Sequence, residues 1–185
     1  MRDATVLEEL GISASLIKAR GLTPCTEAEH LEVAEVGVDG KEHLLAPEAA
    51  AAWRRMKAAA QEAGHELFIV SGYRSVERQV DLIRRKLRNG QDIKDILCVS
   101  APPGFSEHHT GRAVDLATPG VPPLEESFDQ TPAFAWLQQH GGRFGFKLSY
   151  PVGNAHGYQY EPWHWCHVGA QQAVPADGPA SRARG

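Results

Sequence analysis

Two short segments concentrate the groups that a hydrolytic metal site needs. The first reads SEHHTGRAVD over residues 106–115 and the second reads EPWH over residues 161–164. From them His108, Asp115 and His164 can supply the three protein ligands of a catalytic zinc, which leaves its fourth position for water. Glu161 is then the carboxylate that takes that water's proton. Gly111, between His108 and Asp115, lets the chain turn. Ala113 and Asp115 fall on one face of a strand, where the small Ala113 side chain leaves room beside an ion. Pro162 has no amide hydrogen and opposes a sheet ladder, so Glu161 is expected just before the strand that carries His164.

The remaining histidines and thiols read differently. His30, His43, His65, His140 and His156 are read as packed or surface groups. His109 adjoins His108 and points to the opposite side of an extended chain, and His167 is likewise not assigned as a ligand. Cys166 shares a strand face with His164, and thiolate binds zinc well. It is read as a buried structural thiol, because free cysteine packs as a small apolar residue. Trp136, Trp163 and Trp165 are expected in the core or a pocket wall, and the basic run over residues 84–88 on a solvated helix face.

These groups must be held by elements whose signals are in the chain. Residues 47–64 begin with Pro47, continue through alanine-rich helix formers and end at Gly64, which predicts a helix. Leu67 to Val70 is a β-prone run closed by Ser71 and Gly72. Ser75 caps a second helix through about Asn89, with Val76, Val80, Ile83 and Leu87 on one face and Gly90 as its stop. Residues 91–105 mix an apolar patch with Pro102 and Pro103 and read as an irregular connection. A strand is expected over residues 111–116. Thr131 and Pro132 open a helix to about Phe144, and strands are expected over residues 146–150 and 163–168. Elements that do not strictly alternate point to an α+β fold, with the metal segments on adjacent strands of a small antiparallel sheet flanked by helices.

Composition bounds the function. A chain of 185 residues suits one compact domain. A formal charge of −4 gives no general attraction to nucleic acid or anionic membrane. No stretch has the roughly 18 apolar residues of a membrane span, and acidic residues interrupt the N-terminal run, so no signal peptide is read there. The expectation is a cytoplasmic protein, with periplasmic or cell-wall action if a leader has been removed. Cys25, Cys98 and Cys166 are an odd number without C-x-x-C spacing, which argues against a disulfide framework.

The ordered set of motifs resembles the VanY-type zinc D-alanyl-D-alanine carboxypeptidases, relatives of the VanX dipeptidases and the hedgehog zinc domain. It comprises SGYRS at 71–75 with Gln79, then S-x-H-x-x-G-x-A-x-D at 106–115, then EPWH at 161–164. The resemblance implies one zinc ion on His108, Asp115 and His164, with Glu161 and Arg74 catalytic. It also implies that Ser106 and Gln79 hold the substrate's terminal carboxylate, with Tyr150 lining the same pocket. Cys166 stands where the family often has a basic residue. The expected activity is removal of the terminal D-amino acid from a peptidoglycan stem peptide or muropeptide by a monomer. A lysin-type endopeptidase and a non-catalytic zinc-containing binding module are the alternatives. The expected organisation is an N-terminal extension (1–45) packed on a zinc peptidase domain (46–169), with a disordered tail at 170–185.

Overall fold

Fifteen elements are built from residues 2–169, the part of the chain described by the computed structural model; the tail expected at 170–185 lies outside the described residues. Helices α1 (Arg2–Glu9) and α2 (Ala14–Ala19) lead into a hairpin of β1 (Glu32–Val36) and β2 (Glu42–Leu45). Helix α3 (Pro47–Glu62), strand β3 (Phe68–Ser71), helix α4 (Val76–Arg88) and helix α5 (Ile93–Val99) follow. A 3₁₀ turn (Glu107–Thr110) opens onto β4 (Ala113–Ala117). After a second 3₁₀ turn come α6 (Pro132–His140), a third such turn, β5 (Phe146–Leu148) and β6 (His164–His167). The fold is α+β, as the non-alternating pattern predicts.

Four strands form one antiparallel sheet in the order β3-β4-β6-β5. Alternation divides its residues between two faces. Val114, Leu116 and Trp165 enter the main core with Trp53, Met56, Phe134 and Leu137 from α3 and α6. Asp115 and His164, directly paired across β4 and β6, take the opposite face. The helical cover anchors the sheet, so the site face can be polar.

The hairpin β1–β2 closes one side of this core through Ala34 and Leu45. A buried carboxylate ties it down: Glu35 accepts hydrogen bonds from the Trp53 indole at 3.0 Å and the Ile69 amide at 3.4 Å, and pairs with Lys57 at 3.0 Å. A separate apolar cluster joins Leu10 and Ile12 to Ile83, Ile96 and Leu97, which fixes the N-terminal helices to α4 and α5.

The elements expected between residues 47 and 168 lie close to where the sequence places them, and α4 is capped by the Ser75 hydroxyl; α1, α2 and the β1–β2 hairpin form where no element was read. One connection differs. Residues 91–105 contain α5, whose N-terminus is capped by the Asp92 carboxylate accepting from the Lys94 amide at 2.8 Å. Its Ile96 and Leu97 are buried, so tertiary contact completes a helix too short to announce itself by periodicity. The helix expected to reach Phe144 is α-helical to His140 and continues as a 3₁₀ turn through Phe144.

Two motif glycines are required by close backbone approach. A Cβ at Gly72 would lie 2.7 Å from the Leu44 carbonyl oxygen, and one at Gly111 would lie 2.8 Å from the Ala46 amide nitrogen. Gly111 also has φ +65°, the left-handed region that side chains disfavour. Gly111→Ala is therefore expected to destabilise the protein by about 1–3 kcal/mol through backbone strain, with the clash against Ala46, between β2 and α3, in addition. Urea unfolding monitored by circular dichroism checks this; an unchanged midpoint would remove the structural reason for that glycine.

Candidate metal centre and catalytic site

The register of the sheet assembles the site. Ser71 pairs with Asp115 across β3 and β4, and Asp115 pairs with His164 across β4 and β6. His108 arrives from the 3₁₀ turn just before β4, and Gly111 reverses the chain between them. One ligand atom from each of His108, Asp115 and His164 lies within 4.8 Å of the others, and all three residues are buried. His108 Nε2 is 3.3 Å from Asp115 Oδ2, while His164 Nδ1 is 3.0 Å from Asp115 Oδ1. The two rings meet edge to face at 4.9 Å. Nitrogen and carboxylate donors converging out of water are a set that suits zinc.

Both candidate histidine ligands have a partner outside the triad. His108 Nδ1 donates to the Gly72 carbonyl at 2.7 Å, leaving Nε2 for the site. The Gly72 backbone sits close to β2 because glycine permits it. Tyr150 packs against the His164 ring at 4.6 Å in a tilted arrangement.

Electrostatics favour a cation between these groups. Burial opposes charge on Asp115, but the flanking His108 and His164 hold its carboxyl well below the usual range. Burial likewise lowers the His164 imidazolium, yet hydrogen bonds to Asp115 and Glu107 overcome it and raise the pKa to about 10.

A cavity of about 310 Å³ opens beside the triad, lined by Arg74, Ser106, His108, Asp115, Tyr150, Glu161 and His164 among others. Seven of the eight residues singled out from the sequence thus share one wall. Glu161 precedes β6, as Pro162 predicts, with its carboxylate 3.8 Å from His164 Nδ1. Burial, assisted by the charge of Asp115 and opposed by His164 and Arg74, raises its pKa to about 7. Arg74 uses two of its N–H groups, one to Gln79 Oε1 at 3.0 Å and one to Ser71 Oγ at 3.2 Å. Ser106 caps the 3₁₀ turn in position but makes no side-chain cap hydrogen bond. Gln79 lies behind this wall: it is fully buried, and its other end donates to the Ala101 carbonyl at 2.7 Å.

His109 is engaged elsewhere. Its Nδ1 meets the Arg74 carbonyl at 2.6 Å and its Nε2 accepts from the Gly104 amide at 3.2 Å, so it locks the Arg74 loop to the 3₁₀ turn. Cys166 is buried and free, with its thiol pushed up to about 12 by burial. The sequence reading passes over Glu107, whose Oε2 lies 2.9 Å from His164 Nε2 and accepts from Ser149 Oγ at 2.6 Å. Burial raises the Glu107 carboxyl, but these hydrogen bonds more than offset it and hold it below its ordinary value.

Residues 42–170 match the VanY family, described as D-alanyl-D-alanine carboxypeptidase. The chain belongs to this family. Bacillus subtilis YodJ is 36% identical over 138 residues, which cover 72% of this chain and 50% of YodJ. The chain thus spans half the length of that relative. Among solved structures, the LdcB LD-carboxypeptidase aligns with a TM-score of 0.70 at 33% identity, covering 78% of this chain and 71% of LdcB. A mutant of the D,D-pentapeptidase VanY from a VanB-type resistance cassette, in complex with Zn(II), aligns with a TM-score of 0.62 at 26% identity, covering 80% and 84% of the two chains. The VanY fold accounts for the mixed architecture, and the described residues include no helix long and apolar enough to cross a membrane.

Proposed function

We propose that the chain is a zinc-dependent carboxypeptidase that hydrolyses the terminal D-amino acid bond of peptidoglycan stem peptides. The observation that carries this reading is the buried His108, Asp115 and His164 triad opening onto the same cavity as Glu161 and Arg74. A site with only a structural ion needs neither of the last two. The VanY match and the Zn(II) complex of a relative support the same metal and reaction.

His108 and His164 would bind zinc through Nε2 and Nδ1, and Asp115 through its carboxylate. When bound, zinc lowers the pKa of its water towards 7 and polarises the carbonyl under attack. Glu161 takes the proton from the attacking water and returns it to the leaving amine. Arg74 hydrogen-bonds the carbonyl oxygen as negative charge develops there, a task suited to a permanently charged planar fork. Ser106 offers a hydroxyl to the substrate's terminal carboxylate, and Tyr150 forms the pocket wall. Gln79 contributes through Arg74, whose guanidinium it holds, rather than by touching substrate.

The two kinds of relative differ in the bond they cut, D,D in VanY and L,D in LdcB. Mass spectrometry of a stem pentapeptide ending in D-Ala-D-Ala and of its tetrapeptide counterpart tests both with the zinc-loaded chain. Loss of one terminal alanine from either peptide is the expected result and names the preferred bond. Internal cleavage would instead make the chain an endopeptidase, and no cleavage by the folded, zinc-bound protein would overturn the enzymatic reading.

A further inference from the structure

We propose that Glu107 is the positioning residue of this metal centre: through His164 Nε2 it fixes the tautomer that presents Nδ1 to the ion, and Ser149 holds Glu107 for that task. The inference rests on the reading of His108, Asp115 and His164 as zinc ligands.

A neutral imidazole has one N–H and one lone pair. The oxygen behind a ligating histidine decides which nitrogen carries which. For His108 that oxygen is the Gly72 carbonyl at Nδ1, so Nε2 faces the site. For His164 the arrangement is reversed: Glu107 Oε2 sits 2.9 Å from Nε2, while Nδ1 is 3.0 Å from Asp115 Oδ1. The two histidines therefore use opposite nitrogens, each enforced by a different class of acceptor.

Glu107 cannot act as a ligand from this position, because the His164 ring stands between it and Asp115. Nor does it line the cavity that holds Arg74 and Glu161. It lies instead on the wall of a neighbouring cavity of about 270 Å³, together with Ser149 and Tyr150. The Ser149 hydroxyl donates to the same Oε2 at 2.6 Å, which fixes the carboxylate in its rotamer. Tyr150 packs against the ring at 4.6 Å with the planes 34° apart, which limits its movement. His164 is thus held in plane by Tyr150 and in tautomer by Glu107.

The test measures zinc affinity of the full chain by chelator competition and, independently, the state of His164 by nitrogen-15 NMR of the zinc-loaded wild type. Glu107→Ala is expected to weaken zinc binding about 10- to 100-fold, and Glu107→Gln, whose amide oxygen can still accept from Nε2–H, to recover most of the loss. NMR is expected to show a proton on His164 Nε2 and the ion on Nδ1. An affinity for Glu107→Ala within about twofold of wild type would overturn the proposal, as would an ion on Nε2. The NMR measurement needs no variant and stands if Glu107→Ala fails to fold. A zinc-loaded protein whose His164 resonances ignore the metal would overturn the ligand assignment itself, an outcome separable from failure of Glu107 alone.

Discussion

Glu161→Gln is expected to keep zinc bound and to lower kcat on the order of 10²- to 10⁴-fold, the usual span for removing a general base. The carboxylate is one of the nearest groups to the triad without being part of it, 3.8 Å from His164 Nδ1, so the ligand set is untouched. Burial has raised its pKa to about 7, where a base is strong enough to take a proton and still ionised at neutral pH. The sign of the pH dependence follows. Glu161 must be ionised to act, so kcat/KM falls as pH drops through its pKa, and a bound cation moves that limb to or below pH 7. In the metal-free protein the same shift costs stability. The folded form binds this proton more tightly than the unfolded form, so the contribution of Glu161 becomes less favourable as pH rises from about 4.5 to 7. Glu161→Gln should therefore raise the melting temperature of the metal-free protein at pH 8, and progressively less below pH 7. Retained turnover in that variant would remove Glu161 from its role.

The second large effect is at Arg74. Arg74→Ala is expected to reduce kcat by about 10²- to 10³-fold with a smaller change in KM, because the group acts on charge that appears only in the transition state. Arg74→Lys should not restore the rate. The guanidinium is held by two separate acceptors, Gln79 Oε1 and Ser71 Oγ, and a lysine ammonium lacks the planar fork that meets both and still faces the cavity. Steady-state kinetics beside a melting curve separates this from instability, since Arg74→Ala also strands the buried Gln79 oxygen at about 1–3 kcal/mol. A loss confined to KM would make Arg74 a ground-state binding group instead.

The candidate ligands were legible as a group because their chemistry is dense in the sequence and local: His108 and Asp115 share one ten-residue motif, and Pro162 marks the start of the strand that bears His164. The helices α3, α4 and α6 were legible from proline, serine and threonine at their starts. Helix α5 was not, because its signal is one capping aspartate and its stability comes from Ile96 and Leu97 packing on the N-terminal helices. Glu107 was hidden for a related reason. Its neighbour in sequence is His108 and its partner in space is His164, so that contact exists only once β6 is in register. Gln79 is read from the resemblance as a group that holds the substrate's terminal carboxylate; in the fold its amide meets Arg74 and the Ala101 carbonyl, contacts that only the packed loops create.

The pairings that complete the candidate metal centre join residues far apart along the chain: 36 positions separate His108 from Gly72, and 49 separate His164 from Asp115. Closing such long loops carries an entropic cost that the packed sheet must offset. The candidate site geometry depends on the register of β3, β4 and β6, whereas in a zinc finger the ion itself organises the polypeptide. An ion that binds only this assembled geometry would in turn stabilise the sheet that creates it, so metal supply would bear on how much of the protein stays folded.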